Sequence, residues 1–389
     1  MRVADAPSNA DRFRKAFEDS LGIPFSNGNA IEVLRNGVEI FPSMIAAIDA
    51  AEATIEFVTY VYWRGTIARA FAEACTRAAG RGVEVRFLVD AFGGRSMEKT
   101  LIRGLREAGA EFRWFRPLSK IRGIRHRTHR KILVCDGRVG FTGGVGIADE
   151  WEGDAKNPRE WRDSHFRIEG PAVRGLRAAF LGNWIETDGS LHDLIERPAA
   201  PSREGKASVQ VVRSAGSEGW GETSVVIWTL ALLARQSIRI TTAYFVPDLR
   251  TSRFLEAAAK RGVSIELILP GKHRTDSYLS HLAGTARYGS LLNAGIRIYE
   301  FQPTMLHTKT ITVDDTVAWL GSPNLNQRSM RQDDEIGLLA IDPDTCARLD
   351  RHFEDDRARS VEVTLGDWNR RNAWQRAKEW IVDPFRSEL

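Results

Sequence analysis

Four short landmarks occur twice along this chain, in the same order, and a chain that repeats itself so must fold as two similar units. Ile55-Glu-Phe-Val-Thr59 is answered by Ile238-Arg-Ile-Thr-Thr242, and Arg81-Gly-Val-Glu-Val85 by Arg261-Gly-Val-Ser-Ile265. Ala108-Gly109 and Pro117 return as Ala294-Gly295 and Pro303. His129-x-Lys131-x4-Asp136 returns as His307-x-Lys309-x4-Asp314. The offsets stay between 178 and 186 residues, a drift that small loop insertions would produce. A chain of 389 residues is long enough for two such units, each with a core of its own.

Inside each unit the apolar pattern alternates between helix and strand periods. Residues 43–53 have helical spacing and strong helix formers, and 55–62 are apolar and β-branched or aromatic, as in a buried strand. A helix over 67–79, a strand over 83–89, a helix over 96–108 and a strand over 111–115 follow, with Gly82 and Gly109 as stops. The first motif then lies on a strand over 131–135. Alternation of this kind predicts an α/β fold with a sandwich of helices and sheet in each half. The Pro-rich stretch 197–206 is the expected linker, so the expected domains are residues 1–200 and 207–389.

Composition narrows the partners. The net charge of +4 favours anionic ones: nucleic acid, phospholipid surfaces or phosphorylated metabolites. Cys75, Cys135 and Cys346 lie far apart, which fits neither a disulfide framework nor a metal site and suits a reducing cytoplasm. The first twenty residues carry charges throughout and no apolar signal core. The longest apolar run, Val225 to Ala234, has ten residues against the roughly 20 that a membrane-spanning helix needs, so any membrane contact is expected to be peripheral.

Residues two apart on a strand share a face, so His129 stands beside Lys131, and His307 beside Lys309. Each pair offers an imidazole and an ammonium together, which suits a phosphate. Small-residue turns follow at matching spacing, Gly143-Gly144 and Gly321-Ser322, and such turns bring backbone N–H groups close to an anion. Two such half-sites facing one another would put an imidazole on either side of one phosphorus. One neutral histidine then attacks and becomes a phosphohistidine, while the other, protonated, donates to the leaving oxygen. The lysines neutralise the non-bridging oxygens, and no metal or other cofactor is required. Each histidine needs a group to hold its ring. Asp163 and Glu335, on the strand that follows each motif, are expected to do so for the histidine of their own half. Asp136 and Asp314 complete the motifs and join the catalytic candidates, with a turn-stabilising role as the competing reading.

Paired motifs of this form resemble the phospholipase D superfamily, and residues 29–365 look like its bacterial cardiolipin synthase branch. The supporting segments are Trp161-Arg162-Asp163 with Glu169-Gly170-Pro171, Tyr244-Phe245-Val246-Pro247-Asp248, Met305 to Thr310 and Gly321 to Ser329. The resemblance implies two tandem phospholipase D-like α/β/α sandwich repeats packed around one shared active site. It implies a phosphatidyltransferase that carries a phosphatidyl group on histidine and passes it to a second lipid's hydroxyl. By the same analogy His129 is the nucleophile and His307 the general acid/base, and Asn324, Ser322 and Gly144 bind substrate. The implied partners are an anionic phospholipid such as phosphatidylglycerol and the inner face of the cell membrane, met from the cytoplasm. A departure stands at Gly146, where the first half lacks the counterpart of Asn324.

Other features leave alternatives open. Arg113, Arg116, Lys120, Arg122, Arg125, Arg127, Arg130 and Lys131 follow one another without an acid, as a cationic entrance or a solvated loop. Trp368, Trp374 and Trp380 recur every six residues in a basic tail, for packing on the second half or for a bilayer interface. A phosphodiesterase or nuclease on the same scaffold is the alternative function, with nucleic acid as its partner.

Overall fold

The structure is a computed structural model and describes residues 8–117, 126–187, 205–216, 221–371 and 374. The first half runs α1 (Asn9–Leu21), β1 (Ser26–Arg35), α2 (Asn36–Asp49), β2 (Thr54–Thr59), α3 (Thr66–Gly80), β3 (Glu84–Asp90), α4 (Lys99–Glu107), β4 (Glu111–Phe115), β5 (Ile132–Cys135), β6 (Val139–Gly143), β7 (Ser164–Glu169) and α5 (Val173–Glu186). The second begins with β8 (Ala207–Ser214), α6 (Glu222–Leu233), β9 (Ser237–Thr241), β10 (Phe245–Val246), α7 (Leu249–Lys260), β11 (Ser264–Pro270), α8 (Tyr278–Thr285) and α9 (Tyr288–Asn293). It ends with β12 (Arg297–Phe301), β13 (Thr310–Val313), β14 (Val317–Gly321), β15 (Leu325–Asn326), α10 (Gln327–Arg331), β16 (Glu335–Ile341), α11 (Pro343–Arg357), β17 (Ser360–Glu362) and α12 (Leu365–Asn369).

The duplication is visible in the strand order. From its outer edge inward the first half reads β4-β3-β2-β5-β6-β7-β1, and the second, inside an added β17, reads β12-β11-β9-β13-β14-β16-β8. β1 and β8 then pair antiparallel, so among the described residues the halves join in one sheet of fifteen strands rather than two separate ones. Each half keeps three parallel strands outside and an antiparallel block towards the seam. The motif strands β5 and β13 stand where the two types of pairing meet.

Helices cover both faces. α2, α3 and α4 close one side of the first half around Phe57, Phe71 and Phe87, all fully buried, with Phe57 at 4.7 Å from each of the other two rings. α5 and α11 cover the other face, and each reaches over the seam, α5 to β8 and α11 to β1. α1, absent from the expected elements, puts Phe13 and Phe17 into the core under α6 and β9. Its Ser8 cap accepts from Asp11 N at 3.1 Å. The N-terminal segment therefore packs with the second half, which corrects the expected first domain of residues 1–200. Of the expected linker, only Gly205 and Lys206 lie inside the described residues.

Each motif strand turns back through a tight hairpin, in which Asp136 and Gly137, and likewise Asp314 and Asp315, have φ between 50° and 64°. Both central residues left-handed is the turn whose twist matches a β-hairpin. The motif aspartates serve these corners. Asp136 accepts from the N–H groups of Glu52, Ala53 and Thr54 at 2.7–3.0 Å, and Asp314 accepts from Arg235, Gln236 and Ser237. These bonds tie each hairpin to the start of β2 or β9, away from any reacting group.

Candidate active site

The two motifs meet across the seam. Thr128 bridges to Asp334 and Arg162 to Leu306, and four backbone bonds close these contacts. His129 N donates to Asp334 O at 2.8 Å and His307 N to Arg162 O at 2.7 Å, with the return bonds Asp334 N to Arg127 O and Arg162 N to Met305 O. The approach of each motif is thus paired with the segment that carries the other half's carboxylate.

That pairing crosses the histidine partners. His129 Nδ1 lies 2.9 Å from Glu335 Oε1, and His307 Nδ1 lies 2.8 Å from Asp163 Oδ2. Asp163 and Glu335 do hold histidine rings, but each holds the ring of the opposite half, which corrects the same-half expectation. An ionised carboxylate at Nδ1 requires the proton there, so Nε2 presents its lone pair. Both carboxylates are buried and held from behind. Asp163 accepts from Trp151 Nε1 at 2.8 Å and from Ser164 N at 2.7 Å, and Glu335 accepts from the Ser322 hydroxyl. Both histidines, Lys131 and Asn324 line a single cavity of about 340 Å³. Lys131 Nζ donates to His129 O at 2.8 Å, and Lys309 Nζ donates to His307 O at 2.6 Å.

The cardiolipin synthase, PLD-like domain family model matches residues 44–150 and 229–357, one match over each motif. The chain belongs to this family. Cardiolipin synthase 1 of Bacillus cereus is 32% identical over 371 residues, covering 92% of this chain and 72% of its own. The probable cardiolipin synthase YwiE of Bacillus subtilis is 31% identical over 394 residues, covering 100% of this chain and 78% of its own. Among solved structures, the phosphatidylserine synthase of Haemophilus influenzae superposes with a TM-score of 0.73 over 97% of this chain and 100% of its own, at 17% identity. At that identity the likeness speaks for the fold.

Burial sets the electrostatics. It lowers the pKa of His307 to about 3, helped by Lys309 and opposed by Asp163. His129 is lowered by burial too, against the pull of Glu335. Lys131 falls to about 7 through burial and the charge of Lys309, and Lys309 falls to about 8 through burial. Asp163 and Glu335 stay low despite burial, because the histidines and the motif lysines face them. Buried ammonium and imidazole groups are lowered by desolvation, and an entering phosphodiester would favour the protonated state of lysine and histidine alike.

Several expected roles change. Ser322 and Gly144 are not at the substrate face: Ser322 binds Glu335, and a Cβ at Gly144 would meet Asp163 Oδ1 at 2.2 Å. The second turn residue serves the carboxylate in both halves, by a hydroxyl in one and by bare space in the other. Asn324 stays at the cavity. Its counterpart Gly146 has no room for an amide, since a Cβ there would meet Val61 Cβ at 2.7 Å and Trp151 at 3.2 Å. The arginines of the basic stretch that lie in described residues are engaged internally. Arg116 pairs with Glu186 at 2.6 Å, Arg127 lies 3.7 Å from Asp90, and Arg130 donates to Glu335 O, Ala179 O, Asn183 and Ser214 O. Arg113 donates to Thr187 O at 2.9 Å. Lys120, Arg122 and Arg125 lie outside the described residues.

Sequence reasoning missed Trp151, Arg162 and Tyr244. Arg162, 1% exposed, binds Asp356 at 2.9 Å and donates to Asp163 O and Thr308 Oγ1, so it locks the two halves beside His307. Its position between Trp161 and Asp163 was a usable signal. Nothing local to Trp151 or Tyr244 marks them as neighbours of His307, which they meet edge-on at 5.2 and 6.1 Å.

Proposed function

We propose that this chain is a phosphatidyltransferase of the cardiolipin synthase type, working through a phosphohistidine. The observation that carries it is the crossed arrangement of two histidine–carboxylate pairs, with both histidines and Lys131 lining one cavity and Lys309 against His307. His129 Nε2 attacks the phosphorus of an anionic phospholipid such as phosphatidylglycerol. The P–O bond to the headgroup alcohol breaks, and protonated His307 gives its Nε2 proton to the leaving oxygen. Neutral His307 then takes the proton of an incoming lipid hydroxyl, whose oxygen attacks phosphorus as the P–N bond breaks. Lys131 and Lys309 hold the non-bridging oxygens through both steps, with Asn324 beside them. Glu335 and Asp163 keep each ring in its tautomer. Family membership and relatives named as cardiolipin synthases support lipid as the substrate.

No helix among the described residues is long and apolar enough to cross a membrane. We place the chain on the inner face of the cell membrane, where its substrate lies. Incubating wild-type and His129→Ala protein with phosphatidylglycerol vesicles, and separately with single-stranded DNA, tests the function by mass spectrometry of the products. Cardiolipin or a related phosphatidyl product from the wild type alone is the expected result. DNA cleavage without any lipid product would overturn it.

A further inference from the structure

The backbone is nearly two-fold symmetric, but the walls of the cavity are not. The first half lines it with rings and aliphatic groups: Tyr60, Val61, Trp63, Trp151 and Trp161. The second half lines it with polar groups, among them Asp276, Ser277, Ser280, Asn324 and Asp333. The asymmetry arises in the loops after equivalent strands. After β3 the chain packs tightly, with a Cβ at Gly93 meeting Tyr60 O at 2.2 Å, and no residue of 91–98 lines the cavity. After β11 the segment before α8 brings Asp276 and Ser277 to the mouth.

Two acceptors on this wall have lone pairs left for a ligand, and one of them has no partner at all. Asn324 Oδ1 is buried without a hydrogen-bond partner, in a side chain 3% exposed. Asp276 receives the Tyr244 hydroxyl, 2.8 Å from both oxygens, and among the described residues no cation lies within ion-pair distance of it. Asp333, the other carboxylate on the wall, is matched by Arg328 at 2.9 Å. A phosphodiester has only acceptor oxygens and cannot satisfy either group. A hydroxyl can, and a carboxylate has lone pairs left after one phenol.

We infer that the second-half wall is the subsite of the headgroup alcohol, an uncharged polyol whose hydroxyls donate to Asp276 at the mouth and to Asn324 deeper in. The assignment rests on the phosphatidyltransferase reading above and adds the specificity of the same site. In-line displacement makes it serve twice. If the phosphoryl group sits on His129, the first alcohol leaves on the side of His307, and the second must arrive from that side. Tyr244, edge-on to His307 and bonded to Asp276, links the wall to that histidine. Lys309, whose charge faces Asp276, weighs against an ammonium headgroup, leaving Asp276 as an acceptor for hydroxyls rather than the anion of an ion pair.

The test is a competition in phosphatidylglycerol vesicles between perdeuterated glycerol, 1-propanol and ethanolamine at equal concentration, for wild type, Asp276→Asn and Asp276→Ala. The product lipids are counted by mass spectrometry. The expected result is a preference for glycerol over propanol that falls at least ten-fold in Asp276→Ala and less in Asp276→Asn, which retains an acceptor oxygen. Propanol transfer reports that each variant is folded. An unchanged glycerol-to-propanol ratio in Asp276→Ala would overturn the assignment. So would a wild-type preference for ethanolamine that Asp276→Asn abolishes, since Asp276 would then bind an ammonium. A wild type that transfers to no alcohol at all would remove the phosphatidyltransferase reading itself.

Discussion

At the scale of single residues, the site sets chemistry against stability. Lys131 is charged in water up to a pKa of 10.5, but burial and Lys309 lower it to about 7. A lysine whose folded pKa is lowered disfavours folding. The cost is fully present below about pH 7 and fades as pH rises towards 10.5. Lys131→Met should therefore stabilise the protein at pH 7 by on the order of 1 kcal/mol or more and lose that advantage by pH 10.5, while abolishing transfer. Calorimetric melting at the two pH values checks this. For activity the sign is opposite. The ammonium form meets the phosphate, so kcat/KM should fall as pH rises through 7–8, and Lys131→Arg should weaken that alkaline limb because a guanidinium keeps its charge.

The crossed carboxylates make a second residue-scale prediction. With a phosphatidyl p-nitrophenol substrate, the leaving group needs no proton. Asp163→Ala should then let the phosphohistidine accumulate, because its defect falls on His307, whereas Glu335→Ala should slow its formation by roughly 10³–10⁴-fold. Quenching in base, where the acid-labile P–N bond survives, followed by peptide mapping, reads the difference. The reverse pattern would mean that His307 is the nucleophile.

At the scale of elements, the hairpins after β5 and β13 carry the motifs and are held by Asp136 and Asp314. Each carboxylate satisfies three backbone N–H groups at the start of a neighbouring strand. Asp136→Ala should cost about 2–4 kcal/mol, read as a lower urea midpoint, while turnover per folded molecule changes less than ten-fold. A collapse of turnover with unchanged stability would return Asp136 to the reacting groups. The elements themselves were largely legible. The strand over 111–115 matches β4, and the predicted helices lie within a few residues of α3 and α4. α2 begins seven residues before the expected 43, at Asn36, because apolar contacts of Ile40 and Phe41 outweigh Pro42 inside the helix. α1 escaped notice because its stripe is only Phe13 and Phe17 in a charged segment.

For the whole molecule, the shared sheet makes the halves mutually dependent. The β1–β8 seam, α5 and α11 reaching across it, and the buried Arg162–Asp356 pair all join one half to the other. Urea unfolding should accordingly be a single transition, with far-ultraviolet circular dichroism and tryptophan fluorescence coinciding. Two resolved transitions would mean two independent domains. In the tail, Trp368 packs on Tyr288 at 5.7 Å and is 8% exposed, as the packing reading expected, whereas Trp374 is 68% exposed and Trp380 lies outside the described residues.

The sequence by itself determined the duplication, the α/β class and the four side chains of the motifs. These follow from repetition and local periodicity, although each His–Lys pair lies in the extended segment just ahead of β5 or β13 rather than on the strand itself. Only the tertiary structure decided which carboxylate holds which histidine, that Ser322 and Gly144 stand behind the carboxylates, and that the two walls of the cavity differ. Ser322 and Gly144 meet carboxylates of their own half through the sheet register, whereas the histidine pairing depends on how segments 144 and 206 residues apart meet across a two-fold seam. Spacing within one repeat carries no information about that register, because a duplicated chain offers each histidine two equivalent carboxylates and packing alone chooses between them.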